Sequence, residues 1–362
     1  MIAGYRLARR LEAAPGRQHV IRLVGALAGL LLAGLLLLLT GRSPLTILGD
    51  SVDAILGSQR GVEGVLRQAV PIILCGLGVA LSLRMKVWNI GSDGQFMFGA
   101  FCALGISIYV DLPDPVLLAL MLIAGAVGGA VWILVPALAR AYWGVNEIIT
   151  TLLLNFVALQ LIVWASLGFW RDTTSQVTQS TVRVEATLPT VPGLESLSIA
   201  VFAPIVIAVV LWLVFRSTTV DYEIDMIGGN PRAARFAGVN VSRRILVVML
   251  FTGAIAGLAG MLQLTGVPGS EAMSGGFSAR YGLSGFIAAA LAGASFPGVL
   301  VAGMFIASMF FAGINLQTKG LSVYIILALY GIVLIGVAIG EVAARYDIVR
   351  PHRAREQAAG TA

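Results

Sequence analysis

The chain has 362 residues, of which 58% are hydrophobic and 12% are charged, and its mean hydropathy is +0.92. These values exclude an ordinary soluble domain and indicate an integral membrane protein. The formal net charge of +6 is accounted for by membrane orientation, as argued below, so it gives no reason to expect a nucleic-acid partner.

Apolar runs predict an all-α integral membrane protein with about ten transmembrane helices, some short or broken, at about 20 residues per crossing. A β-barrel would instead show alternating segments of about ten residues. The predicted crossings lie at 20–40, 66–83, 90–110, 115–139, 147–170, 197–216, 245–267, 283–296, 298–313 and 322–340. We therefore divide the chain into a tail over 1–19, a transmembrane domain over 20–340 and a tail over 341–362.

The first apolar run follows several arginines, as the apolar part of a signal peptide does. The run is long, however, and no small-residue cleavage site follows it before Arg42, so we predict a retained helix with the N-terminus inside. With this orientation most of the 24 Lys and Arg residues lie on the cytoplasmic side, which agrees with the positive-inside rule. Both termini are then expected in the cytoplasm.

Three segments interrupt the apolar pattern. Residues 171–196 are predicted to form an outer loop, and residues 217–244 form an inner one. The eighth and ninth crossings are short, and the junction "GASFPG" between them contains Pro297 flanked by apolar and glycine residues. This junction also fits a re-entrant hairpin, which membranes tolerate where protein or a water-filled cavity covers it.

Polar residues cluster at the start of the third predicted helix, in "WNIGSDGQFMFGA" at 88–100. Asn89, Asp93 and Gln95 surround two glycines, and such side chains inside apolar runs usually face a bundle interior or a pathway. We expect them to line a translocation pathway. Asp93 also fits a helix N-cap, because a carboxylate satisfies the unpaired N–H groups of a first turn.

A second polar position lies deeper in the segment "GVNEIITTLLLNFVALQ" at 144–160. Asn146 and Glu147 are expected to cap the start of this helix. Asn155 lies about two turns further along, where an amide needs partners, and it fits either an interhelical hydrogen bond or the pathway wall. Phe96 and Phe156 are candidates for stacking against a solute, although aromatic residues near membrane ends also serve as anchors.

The inner loop contains "GGNPRAARFAGVNVSRR" at 228–244. Asn230 as the cap, Pro231 at the first helical position and Gly238 just past the end predict a short helix. A helix of two turns is too short to be stable alone, so it needs a supporting surface. Ala233, Ala234 and Ala237 would give it a smooth face that fits a groove.

The arginines of this helix, Arg232 and Arg235, would project towards polar or anionic groups on a partner. The alternative is a plain cytoplasmic loop whose arginines follow the positive-inside rule.

This inner segment resembles the coupling helix of ABC importer permeases in the branch that carries branched-chain amino acids, simple sugars and nucleosides. The positions that match the family's Asn-Pro-x-Ala-Ala-x-x-Ala-Gly core are Asn230, Pro231, Ala233, Ala234, Ala237 and Gly238. The segments 88–100 and 144–160 resemble the nucleoside-type permeases, and "GFSARYGLSGFIAAALAG" at 276–293 agrees. Asp93 stands where the family's motif has Glu, which shortens the side chain by one methylene.

The resemblance implies a permease subunit that forms half of a pathway in a bacterial cytoplasmic (inner) membrane. Its expected partners are a separate ABC ATPase subunit, a related second permease, an extracytoplasmic solute-binding protein and the lipid bilayer. No cofactor is expected on this chain, because ATP and Mg are used by the partner ATPase. The sequence contains no G-x-x-x-x-G-K-[ST] phosphate loop, so this chain is not expected to be an enzyme.

Three alternatives remain at this stage. The first is an ABC permease for simple sugars or branched-chain amino acids instead of nucleosides. The second is an ion-coupled secondary transporter, which predicts a charged side chain at mid-membrane and discontinuous helices in two related halves. The third is a scaffold or receptor-like membrane subunit that binds a partner without carrying a solute.

Overall fold

The computed structural model describes residues 6–9, 15–174 and 179–349. The parts of the two predicted tails at 1–5, 10–14 and 350–362 lie outside the described residues. The chain divides into two compact units: Ile55–Phe311 is one, and Met1–Ala54 together with Ala312–Ala362 is the other.

Helices make up most of the described structure. The helices are α1 Pro15–Leu39, α2 Pro44–Leu56, α3 Gln59–Arg84, α4 Ser92–Tyr109, α5 Asp114–Trp143, α6 Glu147–Leu167, α7 Ala203–Ser217, α8 Val220–Gly229, α9 Pro231–Phe236, α10 Val241–Gly266, α11 Tyr281–Leu291, α12 Phe296–Thr318 and α13 Val323–Arg345. The strands are β1 Arg6–Arg9, β2 Thr190–Val191, β3 Leu194–Ser198 and β4 Tyr346–Val349. The predicted all-α membrane class is confirmed.

Fewer described helices are long and apolar enough to cross a membrane than the about ten that the sequence predicts. Seven described helices are long and apolar enough to cross a membrane, and an eighth span results if Leu27–Leu39 and Pro44–Leu56, bent by 116°, count as one. The remaining two predicted crossings correspond to α4 and α11. Helix α11 has 11 residues, fewer than the roughly 20 that a crossing needs, whereas α12 has 23 and is not short.

Glycines bring α4, α5 and α10 into backbone contact in the larger unit. Side chains added to Gly99, Gly129 or Gly257 would overlap the backbone of a neighbouring helix. Small residues permit this approach, and in a membrane the resulting van der Waals packing drives helix association, because lipid and apolar side chains are equally apolar. The three helices therefore form a close-packed frame.

Helix α3 passes through the centre of this unit and is the most buried of the long helices. The Thr252 hydroxyl of α10 donates a hydrogen bond of 2.9 Å to the Gly78 carbonyl of α3. On its other side, Gly285 of α11 lies against the side chain of Cys75 and the backbone of Gly76. Helix α3 thus connects the frame to the short helix α11.

The smaller unit joins the two ends of the chain. Gly25 and Gly29 of α1 lie against the backbone of α13 near Gly336 and Gly340. Strands β1 and β4 pair antiparallel, with Arg6 opposite Val349. The described parts of the predicted tails therefore contribute a two-stranded ladder.

The predicted outer loop 171–196 contains the β2–β3 hairpin, and residues 175–178 lie outside the described structure. The loop is also held to the segment that follows α10: the Val184 amide donates to the Glu271 carbonyl at 2.8 Å, and the Leu188 amide donates to Thr265 at 2.8 Å. Because these bonds satisfy the loop backbone, the loop covers the C-terminal end of α10 in a fixed position.

The glycine frame is tested by adding one methyl group. We expect Gly257→Ala to lower the free energy of unfolding by about 1–3 kcal/mol, because the new Cβ overlaps the α5 backbone. Thermal unfolding of the detergent-solubilised protein measures the change. Gly331→Ala in α13 is the matched control, since nothing lies within 4 Å of its added Cβ, and it should be neutral or slightly stabilising. Equal midpoints for the two variants would contradict the packing account.

Candidate functional site

The polar side chains at the start of α4 form a closed hydrogen-bonded pair. The side chains of Asn89 and Gln95 exchange two hydrogen bonds, each of 3.0 Å. The Asn89 side-chain oxygen also accepts from the Gly91 amide at 3.0 Å. Both side chains are buried, so their amide groups fix the loop that leads into α4, and buried amides need such partners.

Asp93 caps a helix other than its own. One carboxylate oxygen accepts from the Ser278 hydroxyl at 2.5 Å and from the Gly282 amide at 2.8 Å, and the other accepts from the Leu283 amide at 3.2 Å. Gly282 and Leu283 are in the first turn of α11, whose own N-cap residue, Arg280, makes no side-chain cap bond. The predicted cap of α4 by Asp93 is therefore wrong, since the start of α4 has no side-chain cap bond and the carboxylate caps α11 instead.

Asn155 joins α6 to the start of α4. Its side-chain oxygen accepts from the Gly94 amide at 2.8 Å, and its side-chain nitrogen donates to the Ile90 carbonyl at 2.9 Å. Of the two interpretations of Asn155, the interhelical hydrogen bond is the one observed. The amide clamps both sides of the turn that precedes α4, which is the geometry of a positioning residue.

The two candidate aromatic residues lie in different environments. Phe96 is completely buried and contacts the Phe277 ring at 5.6 Å and the Tyr281 ring at 5.7 Å between centroids. Phe156 is 61% exposed on α6 and does not join this group. The structure therefore brings together five predicted pathway residues, Asn89, Asp93, Gln95, Phe96 and Asn155, and leaves Phe156 on an outward face.

Of the two residues predicted to cap the start of α6, Asn146 does so and Glu147 makes other contacts. The Asn146 side chain accepts from the Ile148 amide at 2.9 Å and caps the helix. Glu147 instead accepts from the Trp88 amide at 3.0 Å and lies 3.3 Å from Arg140. Glu147 therefore holds the segment before α4 against α6.

The predicted short helix of the inner loop is present as α9. The Asn230 side chain accepts from the Arg232 and Ala233 amides at 3.0 and 3.3 Å, Pro231 occupies the first turn, and Gly238 follows with φ +87°. A positive φ is readily adopted by glycine. The residues expected from the sequence to begin and end this helix are thus confirmed.

The exposed face of α9 differs from the predicted alanine face. Ala234 is fully buried within the chain, so it anchors α9 to the protein, whereas Ala233 and Ala237 are exposed. Phe236 is 94% exposed and was not identified from the sequence. Residues two apart on a helix differ by about 200°, so a buried Ala234 implies an outward Phe236.

Helix α8, which was not predicted, connects α9 to the transmembrane helices. Arg84 at the end of α3 donates to both Asp225 oxygens at 3.0 and 2.7 Å and pairs with Asp221 at 2.6 Å. Gly228 packs directly on the Arg84 carbonyl, where a side chain would overlap it. Arg244 of α10 forms an ion pair with Glu223. These contacts fix α8 to α3 and α10.

In the described residues, a short, capped and exposed helix lies between two of several apolar helices that are long enough to cross a membrane, which is the arrangement of a multi-pass membrane protein. Residues 61–342 match the family described as the branched-chain amino acid transport system / permease component. The chain belongs to this family of ABC transporter permease subunits, which are transport components that work with ATPase and binding-protein partners.

Curated relatives in this family differ in the solute that they carry. The chain is 38% identical over 254 residues to a glucose ABC transporter permease of Haloferax volcanii, covering 67% of each protein. It is 30% identical over 284 residues to a guanosine ABC transporter permease of Bacillus subtilis, covering 78% of this chain and 81% of the relative. It is 27% identical over 256 residues to a galactose/methyl galactoside import permease of Escherichia coli, covering 66% and 71%. No solved structure matches the chain.

The Asp93 cap can be tested by removing its charge. We expect Asp93→Asn to lower the free energy of unfolding by about 1–3 kcal/mol, because the introduced NH₂ group cannot accept from the N–H groups or hydroxyl that now face the carboxylate. Thermal unfolding in detergent is the measurement. Asp114→Asn makes the same chemical change at an exposed position in the first turn of α5 and should have a smaller effect. A larger loss from the control would rule out the capping role.

Proposed function

We propose that this chain forms half of the translocation pathway of an ATP-driven importer for a nucleoside or a related small solute with a sugar ring. We further propose that the importer lies in a bacterial cytoplasmic membrane, with both chain termini in the cytoplasm. The observation that carries the coupling part of this proposal is the exposed face of α9 on a chain of the ABC permease family.

The solute class is supported by what the named relatives have in common. Glucose, guanosine and galactosides each contain a sugar ring, although they differ in charge distribution, size and aromatic character. A branched-chain amino acid shares no such group. The relatives therefore favour a hydroxylated ring over the amino acid alternative.

Docking of the ATPase subunit is assigned to the outward side of α9. Arg232 and Phe236 are four residues apart and therefore share one face, and Arg235 is also exposed. Aromatic residues and arginine are enriched in the centres of protein interfaces. We therefore expect Phe236 to enter an apolar cleft of the ATPase that has acidic groups at its rim.

Movement of α9 would reach the membrane helices through α8. The bidentate Arg84–Asp225 pair resists rotation, and the Gly228 contact leaves no gap between α8 and the end of α3. The segment that follows Arg84 leads to the clamp made by Asn155 and to the Asp93 cap. ATP binding and hydrolysis, with Mg, take place on the partner ATPase, and this chain is proposed to bind no cofactor.

The remaining partners are assigned to two other surfaces. The exposed apolar face of α6, which includes Phe156, is proposed to meet the second, related permease. A cleft of about 710 Å³ lined by Arg60, Glu63 and Ser196 among others is proposed to face the solute-binding protein. The ion-coupled alternative receives no support from Asp93, because three hydrogen bonds already engage that carboxylate.

The docking assignment predicts a specific loss for Phe236→Ala. Removing an interface anchor costs about 2–4 kcal/mol, so we expect the affinity of the permease complex for its ATPase to fall at least about tenfold. ATP-dependent uptake in vesicles should fall with it. Both quantities are measured on the reconstituted importer, with membrane insertion checked by protein yield.

Tyr142→Ala is the matched control, because Tyr142 is also an exposed aromatic residue at the end of α5 nearest the inner loop. We expect the ATPase affinity of this variant to stay within about twofold of the unaltered protein, the spread typical of a surface substitution. If Phe236→Ala bound the ATPase normally, the assignment of α9 would be rejected.

If movement of α9 reaches the membrane helices through α8, substitutions at two adjacent glycines of α8 should have different effects. Gly228→Ala should displace α8 from Arg84 at a cost of about 1–3 kcal/mol, so solute uptake per ATP hydrolysed is expected to fall about fivefold or more. Gly229→Ala is the control, since nothing lies within 4 Å of its added Cβ. The ratio of uptake to ATP hydrolysis is the measurement, and equal ratios for the two variants would refute the route.

A further inference from the structure

A small polar cavity lies where the C-terminal end of α10, the first residue of α11 and the middle of α3 meet. Its volume is about 160 Å³. The residues that line it are Arg67, Gln68, Gln263, Val267, Pro268, Gly269, Ser270 and Tyr281. It shares Pro268 with the wider outer cleft of about 710 Å³, so the two spaces are neighbours.

One acceptor in this cavity has no partner among the residues that the structure describes. Gln263 is 5% exposed, and its side-chain nitrogen donates to the Ser270 hydroxyl at 3.1 Å, but its side-chain oxygen accepts no hydrogen bond. A buried carbonyl oxygen without a donor is unfavourable. The site therefore calls for a hydrogen-bond donor at that oxygen.

The residues around this acceptor are held by hydrogen bonds and by a contact between aromatic rings. The Tyr281 hydroxyl donates to the Gln68 side-chain oxygen at 2.7 Å, and the Tyr281 ring rests edge-on against Phe96. Asp93 caps the helix that begins with Tyr281, and the outer loop is hydrogen-bonded to the Thr265 and Glu271 carbonyls on either side of the cavity. A preformed pocket with a few fixed polar groups is typical of a small-molecule site.

We propose that this cavity binds the sugar ring of the solute, with a ring hydroxyl donating to Gln263. The inference rests on the proposed function and assigns the part of the solute that this chain recognises. Amides, hydroxyls and an aromatic ring suit a neutral polyhydroxylated ring. The volume equals that of about five water molecules at roughly 30 Å³ each, which is enough for one sugar ring. A nucleobase attached to that ring would lie in the wider outer cleft.

An amino acid ligand fits the cavity less well. The lining contains no carboxylate that would pair with an ammonium group, and Val267 and Pro268 are its sole aliphatic side chains. Arg67 is the single charged lining residue, but the unpaired oxygen of Gln263 would repel a carboxylate. A hydroxyl group satisfies this acceptor without a charge to neutralise.

The test compares uptake of guanosine with that of its 2′-, 3′- and 5′-deoxy forms by the reconstituted importer. The solute-binding protein is saturated with each compound, so that its own affinity cancels. A site that hydrogen-bonds a hydroxyl rejects the analogue that lacks it, and we expect the unaltered protein to prefer guanosine over one deoxy form by about 5- to 100-fold. In Gln263→Leu, the ratio of guanosine uptake to uptake of that deoxy form should fall towards one. The ratios for the other two deoxy forms should stay as they are in the unaltered protein.

Gln317→Leu is the matched control, because it makes the same substitution at an exposed position near the end of α12. The cavity assignment is overturned if Gln263→Leu leaves every preference unchanged, or if Gln317→Leu changes a preference instead. In either case, uptake by the unaltered protein still supports the proposed function. Uptake of leucine but of neither guanosine nor glucose overturns both proposals.

A second measurement does not depend on the folding of the leucine variant. Ser270→Cys places a thiol in the cavity wall, and we expect guanosine at saturation to slow its reaction with a methanethiosulfonate reagent at least about fivefold, as an occupied site excludes the reagent. Ser322→Cys, at an exposed position before α13, should react at the same rate with and without guanosine. The assignment is contradicted if guanosine slows the thiol reaction equally at both positions, or slows it at neither position.

Discussion

A helix that begins inside a protein leaves its first N–H groups without partners, and in this chain Asp93 supplies them to α11. The carboxylate is on α4, so a single side chain satisfies one helix and joins it to another. The position of Tyr281, and through it the shape of the polar cavity, depends on this contact. Without an acceptor at that point, buried N–H groups would be exposed to an apolar environment at a cost of several kcal/mol.

The larger unit combines two kinds of contact with different consequences. Glycine packing between α4, α5 and α10 is extensive and apolar, and it resists relative movement because close-packed backbones have no space to yield. The contacts at the inner end of α3 are instead ionic and partly exposed. Such pairs contribute little to stability but hold an orientation, which is what a connection to a moving partner requires.

Sequence reasoning was most successful where short-range chemistry decides the structure. The Asn-Pro start and the Gly end of α9 follow from local hydrogen bonding and backbone geometry, and both are observed. Asn89, Asp93 and Gln95 were also recognised as one polar cluster, and Asn155 was separately recognised as needing partners, because polar side chains inside apolar runs require them.

The features that the sequence did not reveal depend on contacts between distant segments. Asp93 caps a helix that begins almost 200 residues later, and no local pattern identifies which N–H groups a carboxylate will meet. The outward position of Phe236 depends on which side of α9 packs against the protein. Helix α11 was counted as a short crossing, with a re-entrant hairpin as the alternative, and its 11 residues are fewer than a crossing needs.

The pairing of α1 with α13 has a consequence for biogenesis. Gly25 and Gly29 need the backbone near Gly336 and Gly340 for close contact, and more than 300 residues separate these positions in the sequence. Chains are made from the N-terminus, so α1 enters the lipid long before its partner exists. Helix α1 therefore reaches its final neighbour only after more than 300 further residues have been made.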